Sequence, residues 1–280
     1  MKNSIFREQV WLGDDVNIVD NDYVREHFGP LKISYILSGN VTGDHRDDFF
    51  SPRNGDFVDA RLELGTNSAI NQWVKAEFEY RRFLPVGDDK TFGFRWHAGA
   101  IAPFGPIKLV PLTSRFWAGG SNSLRGWGPR EMLVTRPPLS ASADIIDTIV
   151  AEVLKDGRRL LGGLIVLELM GDLRWRPFNF PAASTLMQQI NNLMLIVGVD
   201  VGGAFFRDYG EDEATFQSFL KGIGISPSIA LGYDTPIGPL RLGFGSAILD
   251  PVTYPDKPWI TQRKLLFSDW AWFFSIGHAF

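Results

Sequence analysis

Alternation of apolar and polar residues, interrupted at intervals by glycine and proline, is the feature that most limits how this 280-residue chain can fold. Between Trp73 and Phe83 the order is Val74-Lys75-Ala76-Glu77-Phe78-Glu79-Tyr80-Arg81. A period of two residues places successive side chains on opposite faces of a β-strand. The pattern therefore predicts an all-β fold.

Ten segments carry this alternation. They lie near residues 4–12, 31–41, 55–65, 71–84, 90–102, 162–177, 190–206, 220–234, 237–248 and 267–280. Strands of about 9–11 residues are long enough to cross a bilayer when tilted, and short turns on one side with long loops on the other are typical of outer-membrane barrels. The sequence predicts an antiparallel transmembrane β-barrel with about ten visible strands.

A soluble β-sandwich or a lipocalin-like barrel would show the same alternation. Two observations favour the membrane barrel. Aromatic residues cluster near strand ends, as in Phe92, Phe94 and Trp96, and charged residues occupy the opposite strand faces. Interfacial aromatic girdles and a watery lumen produce these two patterns. No apolar run reaches the roughly 18–20 residues of a transmembrane helix.

The longest connection, about 103–161, contains the segment FWAGGSNSLRGWGPR (Phe116–Arg130) and one predicted helix, Ala141–Lys155. Arg125 is a cation in a glycine-rich loop, and Asp200 interrupts the apolar strand GVDVGGAF. A loop folded inward and held by a buried ion pair would explain both residues. Alternatively, Arg125 is an ordinary solvated loop residue and Asp200 only faces the lumen.

Patterns typical of enzymes and cofactor sites are absent from the sequence. Cysteine is missing, and the four histidines (His27, His45, His97 and His278) lack metal-ligand spacing. The glycine-rich loop lacks the Lys-Ser/Thr of a phosphate loop, and no Gly-x-Ser-x-Gly elbow occurs. With 28 basic and 32 acidic residues, no attraction to nucleic acid is implied. We expect no enzyme, no metal and no cofactor.

Five segments follow one another along the chain: FFSPRNG (49–55), GGSNSLRGW (119–127), GVDVGGAF (198–205), GYDTPIGPLR (232–241) and the terminal strand. In this order they resemble the bacterial surface-antigen superfamily of outer-membrane insertases and translocators, whose members include the barrel-assembly (Bam) and translocation-and-assembly (Tam) barrels. The sequence of the arginine segment looks closest to Tam-like members from Bacteroidetes-type bacteria.

The resemblance implies a site. In the family, the arginine motif lies at the tip of a long loop that folds into the lumen and meets acids on the next two strands. By motif, the arginine is Arg125 and one acid is Asp200. The second would be Asp172, where the family more often has glutamate. The matching loop residues are Gly119, Gly120, Leu124, Gly126 and Trp127.

The last strand resembles a targeting signal for the barrel-assembly machinery, because one face is apolar and the chain ends on phenylalanine. The residues of this face that we assign to the signal are Trp272, Phe274, Ile276 and Phe280.

The resemblance also implies a function, which is assembly of outer-membrane proteins or translocation of polypeptides in the bacterial outer membrane. A seam between the last and first strands would template an incoming strand. Expected partners are outer-membrane lipids, unfolded outer-membrane or secreted polypeptides, and accessory envelope proteins. The alternatives are a passive channel, the membrane anchor of a fused passenger enzyme, or a soluble ligand-binding β-domain.

The family barrel has sixteen strands and follows periplasmic polypeptide-transport-associated (POTRA) domains. About ten strands are visible here, and the N-terminal residues show no signal-peptide core. We therefore expect residues 1–280 to be one barrel domain, the C-terminal part of a longer protein, with the signal peptide and POTRA domains outside it.

Overall fold

A computed structural model of the chain describes residues 2–8, 32–68, 71–105, 110–134, 162–181, 184–205, 222–236, 238–252 and 270–277. Almost all regular structure in these residues is β. The strands are β1 Lys2–Glu8, β2 Lys32–Asp44, β3 Gly55–Asn67, β4 Gln72–Val86, β5 Lys90–Phe104, β6 Leu133–Val134, β7 Ile165–Trp175, β8 Leu193–Phe205, β9 Gly224–Tyr233, β10 Leu240–Ser246 and β11 Trp270–Ile276.

The ten long strands form one sheet in the order β1-β2-β3-β4-β5-β7-β8-β9-β10-β11, and each is antiparallel to its neighbours. The two-residue β6 pairs in parallel with the end of β8. Each of the ten alternating segments corresponds to one long strand. The predicted all-β fold with about ten antiparallel strands is confirmed.

Burial along the strands is the reverse of that in a water-soluble barrel. On β7 the buried side chains include Glu168, Asp172 and Arg174, whereas Leu173 and Trp175 on the other face are exposed. The outward faces of later strands are likewise apolar, with Leu231 57% and Trp272 72% exposed. Charged residues inside and apolar residues outside fit a wall that has lipid around it and a polar lumen within.

The sheet is strongly curled. The Ser51 hydroxyl, in the connection from β2 to β3, donates to Asp234 Oδ1 at 2.8 Å in the turn from β9 to β10. In a flat sheet β3 and β9 would be five strand spacings apart, about 24 Å. Their connections can therefore meet only if the wall bends round. Within the described residues, β1 and β11 are the two edges of the sheet and are not paired with each other.

In the described residues, two short helical pieces accompany the sheet, a 3₁₀ turn at Leu112–Ser114 and helix α1 at Thr185–Asn191. The sequence did not predict α1, which starts at Ser184, whose hydroxyl accepts a hydrogen bond from the Met187 amide. The predicted helix Ala141–Lys155 lies outside the described residues. None of the helices in the described ranges is long and apolar enough to cross a membrane.

Candidate functional site in the lumen

The loop tip, Trp117–Met132, is a compact structure held by its own hydrogen bonds. The Gly120 amide donates to the Trp127 carbonyl at 3.0 Å, and the Met132 amide donates to the Ala118 carbonyl at 3.2 Å. Gly119 has a φ of +99°, a backbone conformation that side chains disfavour. Gly120 is similar, with a φ of +105°. The tip therefore has hydrogen bonds of its own in addition to those that it makes with the wall.

Arg125 contacts Asp200 through both its main chain and its side chain. The Arg125 amide and Nε each donate to Asp200 Oδ2 at 2.9 Å, and Nη2 donates to Oδ1. Both residues are buried. A guanidinium fork on both oxygens of one carboxylate fixes the orientation of the arginine as well as its position.

Asp172 provides a second carboxylate from the neighbouring strand. Its Oδ1 lies 2.8 Å from Arg125 Nη1, and Asp172 is fully buried. In the register of β7 and β8, Asp172 is opposite Gly198, two residues before Asp200. Both acids therefore face the same side of the sheet. The structure brings together the three residues that the motif suggested, Arg125, Asp172 and Asp200.

Gly198 leaves the space in which this contact forms. A methyl group added at Gly198 would lie 2.5 Å from both Arg125 Nη2 and Asp172 Oδ1. Distances under about 3.0 Å are not found for real Cβ atoms, so a larger residue would displace the arginine or the acid. The absence of a side chain at this position is thus part of the site.

Of the other predicted loop residues, Leu124, Gly126 and Trp127 are buried, as is Gly120, and Gly119 is half-buried. Leu124 is fully buried and Trp127 nearly so. Trp127 Nε1 donates to Asp250 Oδ1 at 3.3 Å, just beyond β10, and the Gly126 amide donates to the Ser226 hydroxyl at 3.1 Å on β9. Sequence reasoning missed Asp250 and Ser226. The alternation of apolar and polar residues around Ser226 indicated at most that its side chain faces inward. No sequence signal linked Ser226 or Asp250 to the loop.

A second set of charged residues lies beside the tip and was not predicted as part of a site. Glu168 on β7 contacts Arg95 and His97 on β5, and its Oε1 accepts a hydrogen bond from the Ser123 hydroxyl. Within the described part of the chain, no group of three or more metal-binding side chains is arranged to hold a metal ion.

The apolar face predicted for the last strand is visible in β11. Trp272, Phe274 and Ile276 are all exposed on one side, while Phe273 is buried on the other and lies 6.0 Å from the Arg125 guanidinium. Phe280 lies outside the described residues. The targeting role of these residues stays a prediction.

A family model described as the Omp85 superfamily domain matches residues 17–280. The chain belongs to the Omp85 superfamily. This confirms the outer-membrane family predicted from the five segments. The comparisons do not separate Bam-type from Tam-type members, so the assignment to Tam-like members stays a prediction.

Two relatives illustrate the extent of the similarity. A SAM50-like protein from Schizosaccharomyces pombe is 28% identical over 213 residues, which are 74% of this chain and 39% of that protein. BamA from Haemophilus ducreyi lacking POTRA domains 1–3 aligns with a TM-score of 0.54 at 18% identity, over 78% of this chain and 39% of that one. At this identity the BamA likeness shows the fold alone.

CdiB from Acinetobacter baumannii aligns over 89% of this chain with a TM-score of 0.46, too low for the two folds to be compared in detail. This Omp85 chain spans about two fifths of the length of the SAM50-like and BamA proteins that it matches.

Proposed function

We propose that this Omp85 chain is the C-terminal barrel portion of a protein that inserts or translocates polypeptides at an outer membrane. The observation that supports this most strongly is the arginine at the tip of an inward-folded loop, bonded to two acids on the inner wall. Membership of the Omp85 superfamily supports the same proposal.

The chemistry of the proposed function is strand pairing. The outer edge of β11 ends the sheet in the described residues, and such an edge carries unpaired N–H and C=O groups. An incoming strand would satisfy these groups by adding to the edge. The free energy would come from the folding of the client, so no nucleotide is needed.

The role proposed for the loop tip is to keep the lumen in the state that allows this pairing. Arg125, Asp172 and Asp200 are buried, and a buried charge left without its partner costs about 3–5 kcal/mol. Loss of Arg125 would therefore remove the cation that contacts Asp200 and the nearer of the cations beside Asp172, whose Oδ2 also lies 3.6 Å from Arg174 Nη2, and the tip would unseat. The residues of the tip take no part in covalent chemistry in this proposal.

The proposed location is a bacterial outer membrane, with its lipids and unfolded outer-membrane or secreted polypeptides as partners. The SAM50-like relative comes from Schizosaccharomyces pombe, so family membership alone does not specify a bacterial source. Accessory envelope proteins are further proposed partners.

The first prediction concerns Arg125→Ala. The chain is refolded into lipid vesicles, and its folding is followed by heat-dependent migration on a gel. We expect both the parent and the variant to fold, and only the parent to accelerate folding of a second barrel protein. Arg130→Ala is the matched control, because Arg130 is an exposed arginine of the same tip that stacks on Trp117 at 4.8 Å.

Equal acceleration by the parent and Arg125→Ala would exclude the proposed role of the arginine. A folded parent that conducts ions in planar bilayers and accelerates nothing would favour the channel. A folded parent that does neither would favour the membrane anchor of a passenger enzyme.

A further inference from the structure

Five charged side chains on the inner wall form what we term the charged cluster: Glu77 and Glu79 on β4, Arg95 and His97 on β5, and Glu168 on β7. His97 lies between two carboxylates, with Nδ1 3.0 Å from Glu168 Oε2 and Nε2 2.9 Å from Glu77 Oε1. Arg95 donates to Glu79 Oε1 at 2.8 Å and to Glu168 Oε2 at 3.2 Å. The cluster thus joins three adjacent strands.

Glu168 is the most deeply buried member of the charged cluster, and it is also the one that meets the loop. Its Oε1 accepts the hydrogen bond from Ser123, while its Oε2 is taken up by Arg95 and His97. Arg95 and His97 thus both contact Oε2 of Glu168, and Oε1 bonds to the tip. The Ser123 hydroxyl donates to a carboxylate, and such charge-assisted hydrogen bonds are about twice as strong as neutral ones. This bond therefore contributes to holding the tip on the wall.

The Ser123 hydroxyl connects this acid to the interior of the tip. It accepts the Gly119 amide at 2.9 Å while it donates to Glu168. Arg95 Nη1 also donates to the Asn122 carbonyl, at 3.0 Å. The cluster therefore contacts the tip at two consecutive residues, through a side chain and through the main chain.

We propose that Glu168, held in place by Arg95 and His97, is a second positioning residue that seats the loop tip separately from the Arg125 pair. The proposal rests on the proposed function, for which the seated tip is required. Glu168 and Asp172 are four residues apart on one face of β7, about 13 Å along the strand. Arg125, Gly126 and Trp127 all bond to β8, β9 or the residue beyond β10, so the contact with Glu168 attaches the tip on its other side, toward β5.

The test uses the absence of cysteine from the chain. Ala118→Cys introduces one thiol at a buried position of the tip, with little change in volume. In the chain refolded into vesicles, the rate of modification by a maleimide reports how often the tip leaves the wall. Adding Ser123→Ala removes the hydroxyl and leaves Glu168 with both of its cations, so no buried charge is uncompensated.

We expect Ser123→Ala to raise the modification rate about tenfold, the change that follows loss of one hydrogen bond to a charged group. Ser123→Thr keeps the hydroxyl and should restore protection. Glu168→Gln should raise the rate as well. Ser121→Ala is the matched control, because Ser121 forms no hydrogen bond to the wall among the described residues, and the rate should not change. Combined with Arg125→Ala, the effect of Ser123→Ala should multiply.

Unchanged rates in both Ser123→Ala and Glu168→Gln would overturn the proposal, whatever the variants do to insertion. Equal rates in Ser123→Ala and Ser123→Thr would also overturn it, because retaining the hydroxyl would then give no protection. The labelling readout does not depend on client proteins. If the rates change as expected and the parent never accelerates a second barrel, the proposed function fails and the second anchor stands.

Discussion

Gly198 shows how one residue without a side chain determines the shape of a charged site. The guanidinium of Arg125 lies over it, between Asp172, which is opposite Gly198 on β7, and Asp200, two residues later on β8. Asp172 has a shorter side chain than the glutamate more common in the family. Arg125 Nη1 still reaches its Oδ1 at 2.8 Å, because nothing at Gly198 holds the arginine away from β7.

Gly198→Ala should loosen the tip while leaving the barrel folded. The added methyl would meet Arg125 Nη2 at 2.5 Å, and such overpacking costs about 1–3 kcal/mol. We expect a lower temperature for the heat-dependent gel transition and faster labelling of a thiol introduced by Ala118→Cys. Gly171→Ala is the control, since its nearest neighbours would lie 3.8 Å away. If the two variants behave alike, steric fit at Gly198 is not what seats Arg125.

At the scale of elements, successive residues of β11 face two different environments. Phe273 lies toward Arg125, whereas Trp272, Phe274 and Ile276 are exposed on the opposite face. Since β11 pairs with β10 at Leu242–Phe274 and Phe244–Trp272, the stripe continues onto the next strand. An apolar stripe that crosses strands is expected where lipid covers the wall.

Phe274→Arg should destabilise the folded chain in vesicles by about 2–4 kcal/mol if the residue faces the bilayer midplane. Phe274→Leu keeps the position apolar and should cost much less. Urea unfolding of vesicle-bound protein would measure both. A cost for the arginine no larger than that for leucine would mean that this face of β11 meets water or another protein.

The long strands were predictable because the alternation of apolar and polar residues is a local pattern. It can be read from neighbouring residues without knowing the rest of the fold. The two-residue β6 was not predictable, because it depends on where the loop leaves the tip. Arg125, Asp172 and Asp200 could be named because they stand in a motif. Glu168, Arg95 and His97 could not, since many inward charges look alike until the register of β5 and β7 and the curl of the sheet determine which of them meet Ser123.

At the scale of the whole molecule, the curl of the wall is visible in hydrogen bonds between the connections at the end where the short turns lie. Arg176, after β7, bonds to Asp234 Oδ2 and to the Ser51 hydroxyl, and Ser51 bonds to Asp234. The connection from β2 to β3, which is distant in the sheet order, therefore meets the two neighbouring connections from β7 to β8 and from β9 to β10. Arg53 adds a contact between this region and the carbonyl of Asp88, in the turn from β4 to β5.

Ser51→Cys combined with Asp234→Cys should form a disulfide under mild oxidation, because the parent side chains are in hydrogen-bond contact at 2.8 Å and no other cysteine competes. The cross-link is read as a shift in migration on a non-reducing gel. Ser51→Cys with Asp250→Cys is the control, since Asp250 follows β10 at the opposite end of the strands. Efficient cross-linking of the control, or none in the test pair, would contradict the curled wall.

The contacts described for the loop tip fall on one side of the wall. They run to β5, β7, β8, β9 and the residue Asp250 beyond β10, and through the charged cluster to β4. A tip bonded to so many strands restrains their movement relative to one another. The sheet is therefore stiffer where the tip crosses it than elsewhere. We expect the strands bonded to the tip to move as one rigid body. Thermal motion should concentrate in β1–β3, so that the wall bends on the side away from the tip.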